Sequence, residues 1–193
     1  MTTLHVRDAS IHGVKVLEST ADGDRRGWFA RTFDAAILGE AGIDPTAFVQ
    51  ESHSRSVQRV LRGLHARARL SEAKLVRCAH GEIFDVVLDL RPWSPTFLRW
   101  ESFVLDDRAL RQVYIPPGCG HGHQTISEVS DVLYRMDAPY EPGVDLTVAF
   151  DDAELAIPWP LEDPIVSDRD RAGPPLAAVR PRLAEYFGAT APG

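Results

Sequence analysis

Turn signals recur through the middle of this chain every ~10–15 residues, and the stretches between them are short and strand-like. "RPWSP" (91–95), "PPGCG" (116–120) and "YEPG" (140–143) are the clearest breaks. Between and around them stand "GEIFDVVLDL" (81–90), "RWESFVLDD" (99–107), "RQVYIPPG" (111–118), "SDVLYRMDAPY" (130–140) and "DLTVAFDD" (145–152). The first is rich in β-branched and aromatic residues, and the next two alternate in part, as half-buried strands do. Helix signals are sparse. "TFDAAILGEAG" (32–42) predicts one short helix ended at Gly39 or Gly42, and the tail predicts another around Ala178–Phe187. With so few helices between strands, a parallel α/β sheet is disfavoured and an all-β sandwich or barrel is expected. Residues 1–175 read as one domain. Residues 176–193, rich in Pro and Ala, read as a helical and fraying extension of it.

Composition narrows the function. The 193 residues are 44% hydrophobic and 25% charged, ordinary for a single globular domain with a real core. With 28 acidic against 21 basic residues the net charge is −7, which argues against a general nucleic-acid binder. A local basic pocket for one small anion remains compatible with that balance. The N-terminal "MTTLHVRDASIHGVKVLES" lacks a signal-peptide pattern, and no stretch approaches the ~20 apolar residues of a membrane span. Cys78 and Cys119 match neither a zinc spacing nor a disulfide framework, so reduced thiols in a cytoplasmic protein are expected.

One stretch carries more chemistry than a strand needs. "LRGLHARARLSEAKLVRC" (61–78) holds His65, Lys74 and the flanking Arg62, Arg67 and Arg69. A solvated strand edge would account for the charges, and Arg67 and Arg69 read individually as solvated. An active-site wall that holds an anion and moves a proton would account for them too. A second histidine follows a turn in "IPPGCGHGHQ" (115–124), where Pro116-x-Gly118-x-x-His121 matches the second half-motif of the cupin superfamily, a double-stranded β-helix of jelly-roll type. In that fold His121 points into the barrel. The first half-motif of a metal cupin would bring His-x-His and a Glu. Here His65 is followed by Ala66 and Arg67, with Glu72 farther on, and a guanidinium repels a metal. His65, His121 and His123 leave a zinc or iron site conceivable, but the spacing fits a metal-free acid–base site better.

Seven motifs, in order, sharpen the assignment: "VLRGLH" (60–65), "KLVRCAHGEIFDVVLDLR" (74–91), "SPTFLRW" (94–100), "IPPGCGHGH" (115–123), "LYR" (133–135), "IPWPL" (157–161) and "IVSDRD" (165–170). The chain resembles the dTDP-4-dehydrorhamnose 3,5-epimerases, metal-free cupins of nucleotide-sugar metabolism, from about residue 3 to about residue 175. The resemblance implies an isomerase that needs no cofactor and works as a homodimer on a nucleotide-diphosphate sugar. His65 corresponds to the catalytic base, Asp170 to its partner, and Tyr134 to the proton donor on the opposite face of the sugar. Lys74 and His121 correspond to groups near the keto oxygen, and Arg62 to a diphosphate contact. Arg26 and Trp28 of "DRRGWF" (24–29) would hold nucleotide across the dimer interface, while Gln50 and Tyr140 fall on positions near the nucleotide sugar. Two rival readings, a metal-dependent cupin enzyme and a non-catalytic nucleotide-sugar binder, stand beside this one.

The chemistry suits those residue types. A proton on carbon 3 or 5 of a 4-keto sugar is acidic because the carbonyl takes up the charge as an enolate. A base near neutral pKa removes it, and a carboxylate on the far nitrogen fixes the tautomer. Inversion needs an acid on the other face, and donors aimed at the enolate oxygen stabilise it. Arginines match diphosphate oxygens in pairs. Four positions depart from the family pattern: Arg31 replaces a Glu, Ser52 an Asn, Arg67 a Gln and His123 an aromatic. These positions grip substrate in the family, so an altered sugar or base preference, or inversion at one carbon only, is expected.

Overall fold

The computed structural model describes residues 2–68 and 72–191; Arg69 lies outside them. Within them the chain forms thirteen strands and four short α-helices. The strands are β1 (Leu4–Asp8), β2 (Lys15–Ser19), β3 (Ala21–Asp24), β4 (Gly27–Ala30), β5 (Gln50–Val57), β6 (Leu61–Arg67) and β7 (Lys74–His80), then β8 (Glu82–Asp89), β9 (Trp100–Asp106), β10 (Arg111–Ile115), β11 (Cys119–Thr125), β12 (Val129–Met136) and β13 (Asp145–Thr147). They pair antiparallel into a six-stranded sheet ordered β1-β2-β10-β7-β12-β5, a five-stranded sheet ordered β13-β6-β11-β8-β9, and a separate β3-β4 hairpin. The all-β jelly roll expected from the sequence is the architecture observed.

Strand ends follow the turn chemistry. β10 stops at Ile115 because Pro116 and Pro117 carry no N–H to continue the ladder. The 145–152 stretch is shorter as a strand than expected, since Val148 makes one more reciprocal backbone pair with Leu64 and the chain then turns. α1 (Ala35–Glu40) is capped by the Asp34 carboxylate, which accepts from the Ala36 and Ile37 N–H groups. It runs through Gly39 and ends before Gly42, which sits at φ +76°.

Three apolar clusters hold the layers. Val16, Val76, Val113 and Val132 of the six-stranded sheet meet Ile83, Val87, Phe103 and Leu105 of the five-stranded one. On the outer face of the five-stranded sheet, Leu64, Val86 and Leu88 are covered by Leu176 and Val179 of α3 (Leu176–Val179) and by Leu183 and Phe187 of α4 (Leu183–Phe187). On the outer face of the other sheet, α1 places Leu38 against Leu17 and Leu75. β8 is therefore buried on both faces, which is why "GEIFDVVLDL" is a nearly continuous apolar run. Cys78 and Cys119 are free and buried, and burial pushes both thiols up to about 12. No helix among the described residues is long and apolar enough to cross a membrane.

Candidate active site

The space between the sheets opens at one end into a cavity of about 420 Å³. Alternation sets its walls: residues two apart on a strand share a face. From the six-stranded sheet come Ser52 on β5, Lys74 on β7, and Tyr134 and Met136 on β12. From the facing sheet come Arg62, His65 and Arg67 on β6, and His121 and His123 on β11. Asp170 closes the wall from α2 (Asp168–Arg171), and Tyr140 stands at the mouth, mostly exposed.

Strict alternation would send Arg62 and His65 to opposite faces. A bulge lets both face the cavity: His121 pairs with His65 but His123 pairs with Arg62, so a three-residue step on β6 opposes a two-residue step on β11. The bulge requires glycine. Gly63 has φ +132°, and a Cβ there would sit 2.5 Å from the Gly122 Cα. The "RGLH" and "HGH" glycines are thus the close contact that aims His65, His121 and His123.

Two His–Asp pairs line the site. His65 Nε2 and Asp170 Oδ1 are 2.6 Å apart. Asp170 is buried, its other oxygen faces the Gly63 N–H at 3.4 Å, and its own N–H donates to the Ser167 hydroxyl that caps α2. An ionised carboxylate only accepts, so Nε2 carries the proton and Nδ1 keeps the basic lone pair. Burial pulls the His65 imidazole below its ordinary value of 6.5, opposed by Asp170 and reinforced by the Lys74 and Arg169 charges. The second pair is His121 Nε2 and Asp85 Oδ1, also 2.6 Å apart and both buried.

Across the cavity, the Tyr134 hydroxyl hydrogen-bonds Ser54. Burial raises the phenol above its ordinary 10.0, while the Ser54 bond and the Arg62 charge oppose that shift. Arg62 donates through Nε and Nη2 to the Ser56 hydroxyl, both at 3.2 Å. Lys74 Nζ lies 3.3 Å from Glu72 Oε1.

Arg67 is not the solvated arginine its composition suggested. Its side chain is buried and paired with Glu72 at 2.9 Å, and it donates to the Pro139 and Glu141 carbonyls. It ties the segment bearing Tyr140 to the barrel. The remaining expected residues stand apart from the cavity of their own chain. Arg26 and Trp28 line a shallow depression on the β3-β4 hairpin, where Arg26 pairs with Asp24. Arg31 pairs with Asp34 at 2.9 Å. Gln50 borders a neighbouring surface hollow and accepts from the Tyr140 N–H at 3.2 Å.

Sequence reasoning missed Asp85, Ser54, Ser56 and Ser167. Asp85 had a visible signal, an ionisable residue inside an otherwise apolar strand. Ser54 and Ser56 had none, since their importance comes from the partner each faces, whereas Ser167 opens the Ser-x-x-Asp spacing of a helix N-cap.

The comparisons with known proteins agree on one family. A family model described as dTDP-4-dehydrorhamnose 3,5-epimerase matches residues 8–178. The chain is 41% identical over 169 residues to the dTDP-4-dehydrorhamnose 3,5-epimerase of Pseudomonas aeruginosa, covering 87% of this chain and 93% of that one. Among solved structures it superposes with a TM-score of 0.90 on NovW, a 4-keto-6-deoxy sugar epimerase from the novobiocin biosynthetic gene cluster of Streptomyces spheroides, at 37% identity, covering 93% of this chain and 90% of NovW. It also superposes with a TM-score of 0.84 on ChmJ, a 3'-monoepimerase from Streptomyces bikiniensis in complex with dTDP-quinovose, at 31% identity, covering 94% and 90% of the two chains. A shared jelly roll, a match across nearly the whole domain, and a polar cavity between the sheets lead to one statement: this chain belongs to the dTDP-4-dehydrorhamnose 3,5-epimerase family of isomerases.

Proposed function

We propose that the protein inverts carbon 3, carbon 5 or both in a dTDP-4-keto-6-deoxyhexose, on the way to the deoxysugar of a natural product or a surface polysaccharide. The observation that carries the reading is the placement of a His–Asp pair on one sheet side of the cavity and a phenol on the other. His65 Nδ1 takes the proton next to the keto carbon, and the charge moves onto the carbonyl oxygen. Asp170 holds the imidazole in the required tautomer and stabilises the imidazolium. Lys74 and His121 donate toward the enolate oxygen. Tyr134 returns a proton from the other face, and the centre is inverted. Arg62 pairs with diphosphate oxygens.

The active species in this reading is a homodimer. Trp28 and Phe29 of the β3-β4 hairpin are 59% and 67% exposed, and their rings are an unburied apolar surface on a single copy. Reaching across to a second copy, the hairpin would bring Arg26 and Trp28 to the nucleotide end of the partner's cavity. The free buried thiols suit a cytoplasmic location. Of the four departures from the family pattern, Ser52, Arg67 and His123 line the cavity and Arg31 does not, so a changed sugar preference is assigned to those three.

Proton NMR of purified protein with dTDP-4-keto-6-deoxyglucose in heavy water tests the reading. Deuterium entering at both carbons identifies a 3,5-epimerase with ordinary specificity and removes the altered-preference assignment. Entry at one carbon identifies a mono-epimerase. Entry at neither, with this and related dTDP-4-keto sugars, sinks the proposal.

A further inference from the structure

We propose that Asp85, His121 and His123 bind one divalent transition-metal ion of the zinc type, which takes His121 out of its hydrogen bond with Asp85. The three residues each present a ligand atom, all within 4.8 Å of one another. The geometry follows from the strands. His121 and His123 are two apart on β11, so both imidazoles leave the same face, and Asp85 on β8 stands directly opposite His123 in the ladder. All three are buried, at 0% exposure for Asp85, 6% for His121 and 2% for His123.

The His121–Asp85 hydrogen bond leaves this cluster half satisfied. Asp85 Oδ2 and His123 Nε2 are both buried and have no hydrogen-bond partner among the described residues. An unpartnered carboxylate oxygen and an unpartnered ring nitrogen side by side are costly in a barrel interior, and each calls for a partner. A single cation satisfies both at once. Two imidazoles and one carboxylate are a donor set suited to zinc and its late first-row neighbours. Metal–ligand bonds of about 2.0–2.2 Å put tetrahedral donors roughly 3.4 Å apart, so donors as much as 4.8 Å apart draw in by at most about 1.4 Å, while His121 Nε2 and Asp85 Oδ1, now 2.6 Å apart, separate. His121 and His123 line the main cavity, which supplies the entry path and leaves a fourth position open to water or an anion. Arg62 and Lys74 line the same cavity, and their charge opposes a bare dication, so the ion binds together with an anionic fourth ligand that offsets it.

Binding changes no oxidation state and need release no proton. His121 Nε2 now faces Asp85; to ligate, it turns its lone pair to the ion and its proton moves to Nδ1. His65, Asp170 and Tyr134 are not among the ligands.

The test uses chelator-treated full-length protein titrated with cobalt(II), followed by visible absorption, with zinc as competitor. The expected result is one cobalt per chain with tetrahedral d–d bands that zinc abolishes. His123→Phe and Asp85→Asn should each weaken binding by about 100-fold or more, since even outer-shell partners of a metal are worth about 10–100-fold. Absence of a one-to-one complex in the wild type overturns the proposal, as does a complex that both variants retain undiminished. If a variant does not fold, X-ray absorption of the zinc-loaded wild type decides: two imidazoles in the first shell support the site, and a shell without them refutes it. The readout is binding, so it stands apart from whether the enzyme turns over any particular sugar.

Discussion

His65 and Asp170 are 105 residues apart in the chain and 2.6 Å apart in space. The contact depends on two local devices. The Gly63 bulge turns the imidazole inward, and the Ser167 cap starts α2 so that Asp170 lies buried beneath it. Asp170 is therefore held at two further points: its Oδ2 faces the Gly63 N–H, and its own backbone N–H donates to the Ser167 hydroxyl.

Asp170→Asn should keep the fold and lower the rate of proton exchange by about 10²–10⁴, the usual range for disabling a general base. An amide can offer its NH₂ to Nε2 and stabilise the wrong tautomer. Asp170 also opposes the downward shift of His65, so its loss should move the acid limb of the pH profile to lower pH. A slow enzyme with an unmoved limb would show that Asp170 does not act through His65.

The pH dependence of kcat/KM has a definite sign. As the proposed base, His65 must be neutral to accept a proton, and burial holds its pKa below 6.5, so activity should persist below pH 6.5 before falling. As the proposed acid, Tyr134 must keep its proton, and burial holds its pKa above 10.0, so the alkaline limb it sets should lie above pH 10. Stability follows the same logic for His65. Between its unfolded and its lower folded pKa the unfolded chain binds the extra proton, so its contribution is present above about pH 6.5 and lost as pH falls. A rate profile measured in heavy-water exchange, with an acid limb above pH 6.5, would contradict the assignment.

Tyr134→Phe should separate two events that the wild type couples. In the proposed mechanism His65 still removes the proton and can return deuterium to the same face, so exchange with retention should continue. Inversion, for which the phenol is the proposed acid, should fall by about 10²–10⁴. Losing the hydroxyl also frees Ser54, a small local cost. Equal loss of exchange and inversion would mean that Tyr134 positions substrate rather than donating a proton.

How much of this was legible beforehand can be argued residue by residue. β8 was legible because Gly81 and "RPWSP" bracket an apolar run. β5 was not, because "QESHSRSV" has an exposed outer face and turns serines inward, so neither face looks apolar. His65 and Asp170 were legible only through ordered motifs, since no spacing rule connects groups 105 residues apart. Arg67 was misread because the carbonyls that bury it, Pro139 and Glu141, belong to a distant loop. Asp85 was overlooked even though a carboxylate between Phe84 and Val86 has to be explained by a buried partner, and that partner is His121.

The tail offers a test of how the five-stranded sheet is covered. Leu176, Leu183 and Phe187 are at most 1% exposed, packed over Leu64, Val86 and Leu88 on the outer face of the five-stranded sheet that carries His65 and His121. Leu183→Ala should cost about 2–5 kcal/mol, the range for opening a cavity at a buried leucine. In a chain of this size that corresponds to a fall in Tm of about 4–20 °C. Glu185→Gln, on the exposed side of the same helix, should stay within about 0.5 kcal/mol. Because Leu64 lies between Gly63 and His65 on β6, a loosened outer layer should also blunt the bulge that aims the base, so Leu183→Ala should lower kcat more than it raises KM. Thermal melts showing the two variants equally stable would mean that the α4 contacts contribute nothing to holding the site's supporting strands.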